Sequence, residues 1–142
     1  MRLILLSILL SFGYGTIVFI PHSINGGEKG ILSIHATDLN GDGSTDLLYS
    51  SIESNSIIWL ENKSDNSYVP HPISVKINGS VSVFPTDLNG DGNMDVLSAS
   101  RYDNSISWYK NDGNGIFFRQ FITKDAKGPW AVTADDVDGD GD

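Results

Sequence analysis

The chain has 142 residues, no cysteine, and nine Lys and Arg against eighteen Asp and Glu, for a net charge of -9. Without cysteine there is no disulfide framework, thiolate metal site or cysteine nucleophile, and without a basic stripe to neutralise phosphates a nucleic-acid partner is disfavoured. Ten of the eighteen acids fall within residues 38–46, 87–95 and 136–142, leaving eight acids against nine bases elsewhere, so the acidity belongs to those stretches.

The N-terminus opens with Arg2, then Leu3-Ile4-Leu5-Leu6-Ser7-Ile8-Leu9-Leu10, and then Ser11-Phe12 and the small residues Gly13 and Gly15. This layout predicts a secretory signal peptide over residues 1–15 with cleavage after Gly15. A membrane anchor is the competing reading, because residues 3–20 are an uncharged run near the minimum spanning length. The anchor is disfavoured by an internal repeat: Phe19, Ile20, Pro21, His22 and Ile24 precede Tyr68, Val69, Pro70, His71 and Ile73 by 49 residues, so the folded domain already claims this segment. The expectation is export, to the extracellular space, the cell surface or a periplasm, with no stable membrane span.

From residue 16 the β-branched and aromatic run Thr16-Ile17-Val18-Phe19-Ile20 predicts a strand, broken by Asn25-Gly26-Gly27. Residues 32–36 alternate apolar and polar and predict the next strand. Leu47-Leu48-Tyr49 predicts another beyond an intervening loop, and residues 56–61 and 68–73 predict two more. The series then returns as 81–84, 96–98, 105–110 and 116–122, with Asn111-Asp112-Gly113-Asn114-Gly115 as a hairpin turn and 130–134 starting a further unit. Four short strands in each unit of about fifty residues, with no sustained helical period, predict propeller blades. Trp59 and Trp108 occupy equivalent places in the repeat, which favours packing between blades over ligand stacking.

Between the first two strands of each unit lies the stretch that repeats most faithfully. Asp38-Leu39-Asn40-Gly41-Asp42-Gly43-Ser44-Thr45-Asp46 returns as Asp87-Leu88-Asn89-Gly90-Asp91-Gly92-Asn93-Met94-Asp95, and begins again at Asp136. Oxygen-bearing side chains at the first, third, fifth and ninth positions, with glycine at the sixth, predict a tight loop around a hard cation, and Ca2+ suits such a set because it accepts many oxygens in flexible geometry. The candidate ligands are Asp38, Asn40, Asp42, Asp46 and the carbonyl of Ser44. In the second copy they are Asp87, Asn89, Asp91, Asp95 and the carbonyl of Asn93. Asp136, Asp138 and Asp140 open a third. A helical EF-hand needs a Glu at the twelfth position; here it is Tyr49 or Ser98, and an apolar strand follows. A merely polar turn is the plainer alternative, and repetition in one register argues against it.

The repeated Asp-Leu-Asn-Gly-Asp-Gly-x-x-Asp, the apolar strand after it and the Ser-Ile-x-Trp downstream resemble the FG-GAP or VCBS repeat family, whose relatives form the N-terminal propeller of integrin α subunits. The resemblance covers residues 16–142. It implies an all-β fold of four-stranded antiparallel blades, a calcium-loaded hairpin loop in each blade and a ring of about seven blades. On that reading residues 16–142 are an incomplete piece of a larger ring. Asn40 and Asn89 stand where many copies carry an acid, which is expected to weaken calcium binding.

No catalytic constellation accompanies these loops. His22 and His71 are repeat equivalents, His35 aligns with Phe84 and Thr133, and the serines lack a Gly-x-Ser-x-Gly elbow. The paired carboxylates suit metal binding better than acid–base work, because a bound dication favours their ionised form. Asn62-Lys63-Ser64 and Asn78-Gly79-Ser80 are glycosylation sequons. The function expected is a secreted, calcium-binding scaffold for adhesion to an extracellular protein or glycan. The alternative, from another class, is the propeller or accessory domain of a secreted polysaccharide-degrading enzyme.

Overall fold

A computed structural model describes residues 3–9, 18–24, 28–63, 65 and 67–136. Every regular element in it is a β-strand, and among the described residues no helix is long and apolar enough to cross a membrane. The N-terminal pair is β1 (Leu3–Leu9) and β2 (Val18–Ile24), antiparallel, with Leu6 opposite Pro21. The first four-stranded sheet runs β3 (Ile31–Thr37), β4 (Asp46–Ser51), β5 (Ser56–Asn62) and β6 (Tyr68–Ser74) in sequence order. The second repeats it with β7 (Ser80–Thr86), β8 (Asp95–Ser100), β9 (Ser105–Asn111) and β10 (Phe117–Thr123). Each strand of the second sheet starts 49 residues after its counterpart, as 80 does after 31.

Burial follows each strand's place in the sheet. β4 and β8 are buried at all six positions, which is why they read as apolar runs ending in small serines rather than as alternating strands. β6 lies at an edge, where Pro70 and Pro72 need no ladder partner on their outer side. In the first sheet, Leu48 faces Trp59 across the β4–β5 ladder, and Leu47 faces Leu60. The period of two therefore sends Leu48, Ile57 and Trp59 to one face and Leu47, Tyr49, Ile58 and Leu60 to the other. The first face meets Ile77, Val83, Val96 and Tyr109 of the second repeat in one continuous core. Each fully buried aliphatic chain there, Leu48 or Ile57 for example, contributes roughly 1.5–3 kcal/mol.

The two sheets thus stack as successive propeller blades, with β7 lying against β3, β4 and β5. Where they meet, Val83 N–H donates to Ser33 Oγ at 3.2 Å, and His35 presents its ring edge-on to Phe84, centroids 5.7 Å apart. The same bond recurs one repeat later, where Val132 N–H donates to Ser82 Oγ at 3.3 Å. Two asparagines fasten the links that follow each blade. Asn55 and Asn104 both sit at φ 53°. The Asn55 side-chain oxygen accepts from Gly79 N–H at 3.1 Å, and that of Asn104 from Gly128 N–H at 2.8 Å.

Most expected elements are present with longer bounds, and two points differ. Residues 130–134 form no strand, although Val132 occupies the position equivalent to Val83. A strand needs a ladder partner, and these residues have none among the described ones. The pairing of β1 with β2 is not foreseen in the sequence, since a short run of Leu and Ile suits a leader or a strand equally. Gly13, Gly15, Thr16 and Ile17, and the break at residues 25–27, lie outside the described residues.

Candidate cation loops

The first repeated loop joins β3 to β4 and the second joins β7 to β8, so both emerge at the same end of successive blades. The sequence shapes each loop through its own side chains. Asp38 accepts hydrogen bonds from Gly41 N–H and Gly43 N–H, both at 2.8 Å, and from Asp42 N–H at 3.3 Å. Gly41 (φ 75°) and Gly43 (φ 84°) take the left-handed conformation that this wrapping requires. Asp42 accepts from Ser44 N–H at 2.7 Å, and Asn40 donates to Asp42 Oδ2 at 3.1 Å. In the second loop Asp87 accepts from Asp91 N–H at 3.1 Å and Gly92 N–H at 2.8 Å, and Asp91 accepts from Asn93 N–H at 3.0 Å. The Ser44 amide, aided by Asn40, holds the Asp42 carboxyl below its ordinary value, and the Asn93 amide, with Lys110, does so for Asp91. Both are ionised at neutral pH.

The ninth-position acids do a second job. Asp46 and Asp95 are fully buried, each receiving an N–H from the end of the third strand of its blade: Asn62 to Asp46 and Asn111 to Asp95, both at 2.8 Å. The other Asp46 oxygen accepts from Leu39 N–H at 3.1 Å. That of Asp95 accepts from Trp108 Nε1 at 2.9 Å and from the Asn89 amide at 3.2 Å. Trp59, equivalent to Trp108, is buried with its ring stacked on His71 at 4.6 Å, and its Nε1 has no acceptor. The expected packing between blades holds for Trp59 but not for Trp108, which is only half-buried and bonds within its own blade. Trp59 packs between blades against Phe117, and Trp108 props up a loop.

Asn62 and Asn111 carry a role the sequence reading missed. Each clamps the end of its loop, Asn62 through Thr45 O at 3.1 Å and Asn111 through Met94 O at 3.0 Å. Asn111 also reaches back to Leu39 O at 3.0 Å and so ties one loop to the next. A signal existed, because the two asparagines stand 49 residues apart. Glu61 was missed as well. It sits beside the first loop, accepting from Asn40 at 3.2 Å, and pairs with Lys63 at 2.5 Å and His71 at 2.9 Å. Lys63, then His71, draw its carboxyl below the ordinary value.

Asp136 lines an open cleft of about 360 Å3 together with Thr86, Asp87, Leu88, Gly90, Ala134 and Asp135, beside the second loop. Asp138 and Asp140 lie outside the described residues. Among the described residues no three acidic or histidine side chains gather on one point. Asp38 and Asp42 turn toward the loop's own amides, and Asp46 turns inward. By chemistry the donor set fits a hard cation, since three carboxylates, one amide and one main-chain carbonyl share a nine-residue loop.

Comparison with known proteins bears on the repeat itself. A family model described as FG-GAP-like repeat matches residues 38–98 and again residues 87–142. No curated protein and no solved structure gave a match.

Proposed function

The chain belongs to the FG-GAP-like repeat family, and from that premise we propose that it is an exported, calcium-stabilised β-propeller repeat domain that serves as a binding or adhesion scaffold. The observation that carries the calcium reading is the recurrence of one all-oxygen loop at the same end of two blades. Each copy has its first acid accepting from the loop's own amides and its ninth acid buried beneath. In this reading Asp38, Asn40, Asp42, Asp46 and the Ser44 carbonyl hold one Ca2+. Asp87, Asn89, Asp91, Asp95 and the Asn93 carbonyl hold another, and Asp136, Asp138 and Asp140 begin a third. A bound dication neutralises acids that otherwise repel one another in a short loop, so calcium stabilises the blades by mass action. Export rests on Arg2, the Leu-rich run and the small residues at 13 and 15. The partner class, an extracellular protein or glycan, follows from export and from the integrin-like resemblance of the repeats.

Thermal unfolding in calcium and in chelator tests the central part of this reading. The midpoint is expected to rise with calcium concentration, and an identical midpoint in both would overturn the calcium assignment. For export, intact mass of the released protein is expected to place its N-terminus at Thr16; a membrane-bound product retaining residues 1–15 would contradict it.

A further inference from the structure

Position 61 and position 110 are equivalent in the repeat, on the third strand of each blade beside its loop, yet they carry opposite charge. In the first blade Glu61 Oε1 lies 3.2 Å from the side-chain amide of Asn40, a candidate ligand. In the second blade Lys110 Nζ pairs with Asp91 Oδ2 at 3.2 Å, on the fifth-position carboxylate itself. The neighbours two residues on are exchanged too, Lys63 in one blade and Asp112 in the other. They do not restore the symmetry. Asp112 spends its carboxylate on Asn114 N–H and Ile116 N–H in its own turn, while Lys63 makes its ion pair with Glu61 and acts on Asp42 only through space. What faces the first loop is an acid already paired with a base, and what faces the second is a base paired with the loop's own carboxylate.

Resting on the calcium reading above, we propose that the two loops are unequal calcium sites, with the loop at residues 38–46 the tighter and Lys110 acting as a tethered cation that holds the loop at residues 87–95 weak. The ammonium occupies an oxygen that the metal needs and repels a dication brought beside it. Both effects act in the same direction, and both fade with ionic strength because the pair is near the surface. At the first loop the nearby base is held away from the fifth-position carboxylate: Lys63 pairs with Glu61 Oε1, the oxygen that also accepts from Asn40, so no ammonium sits on Asp42 as Lys110 sits on Asp91. Ligand charge is a main determinant of calcium affinity in oxygen-lined loops, so a separation of about tenfold between the sites follows. The second blade is correspondingly less dependent on metal, since Lys110 already balances part of its charge.

The chain carries its own reporters. Gly43 N–H and Gly92 N–H donate to Asp38 and Asp87 at equivalent places, and the Trp108 indole N–H donates to Asp95, so their NMR resonances follow each loop separately. In a calcium titration of the whole chain, Gly43 is expected to reach half-saturation at about one-tenth of the calcium that Gly92 and the Trp108 indole require. Lys110→Glu is expected to bring the Gly92 midpoint down toward that of Gly43, while Lys110→Arg, which keeps the charge, leaves it high. Glu61→Lys is expected to weaken the first loop alone. If Gly43 and Gly92 respond at one calcium concentration, or if Lys110→Glu leaves Gly92 unmoved in a chain that still gives the wild-type spectrum without calcium, the inequality is wrong and the calcium reading stands. If neither glycine responds to calcium, both are wrong.

Discussion

Asn111 donates its side-chain amide to Leu39 O, 72 residues earlier and in the preceding blade, at 3.0 Å, and the same nitrogen serves Met94 O at 3.0 Å. One buried side chain thus fixes the spacing between the two candidate cation loops. Its counterpart Asn62 makes only the local bond to Thr45 O at 3.1 Å, in an exposed setting.

The contrast gives the first prediction. Asn111→Ala leaves two carbonyls without their donor and Gly113 N–H without its acceptor, at about 1–3 kcal/mol for each group that stays dry, so a loss of at least about 3 kcal/mol is expected. Asn62→Ala is expected to cost about 1 kcal/mol, because water replaces the lost donor. Denaturant unfolding of both variants checks this, and equal losses would show that the bond across the blades contributes nothing beyond the local one.

A second prediction concerns another contact in the same seam between the blades. A Cβ at Gly115 (φ 78°) would come within 2.8 Å of Trp59 Cζ3. Gly115→Ala therefore combines backbone strain of about 1–2 kcal/mol with overpacking of about 1–3 kcal/mol. Trp59→Ala alone is expected to lose about 3–5 kcal/mol. In the double variant the overpacking has no ring to press on, so the losses should sum to less than their separate values. Strict additivity would place the Trp59 ring away from Gly115.

Much of this organisation is legible in the sequence, for a physical reason. A blade buries its faces on its neighbours, so the same residue types return every 49 positions, and strands, loops and the role of Trp59 could be read from that period. Leu39 is buried and its equivalent Leu88 is 36 % exposed, a difference that arises because the second repeat covers the first. What the sequence hides is proximity between elements. That Glu61 and Lys110 touch the loops depends on the third strand running beside them, and nothing local to Asn40 or Asp91 announces it. The ninth-position acids were read only as ligands because burial beneath a loop has no signature in a motif.

Asn55 supplies a third prediction. It combines a left-handed backbone with a bond to the link between blades. Asn55→Gly keeps the conformation and loses the bond, for about 1 kcal/mol; Asn55→Ala also meets the left-handed penalty, for about 2–3 kcal/mol in total. Equal melting temperatures for the two variants would argue against strain at this turn.

Acid should loosen the β9–β10 turn in a defined direction. Asp112 is held below its ordinary value of 3.8, first by the Asn114 amide and also by that of Ile116. A carboxyl whose folded pKa is depressed contributes stability that is fully present above the unfolded value and lost as pH falls through the folded value. The amide resonances of Asn114 and Ile116 are expected to titrate together with a midpoint below 3.8. A midpoint above it would mean that the turn does not favour the charged form.

Equilibrium dialysis of the whole chain against calcium tests the central claim most directly, because it counts ions rather than inferring them from stability. At least two bound calcium ions per chain are expected, with one lost in Asp42→Ala and a different one in Asp91→Ala, since a methyl cannot replace the fifth-position carboxylate of either loop. No bound calcium, or a count unchanged in both variants, would contradict the assignment of these loops as calcium sites.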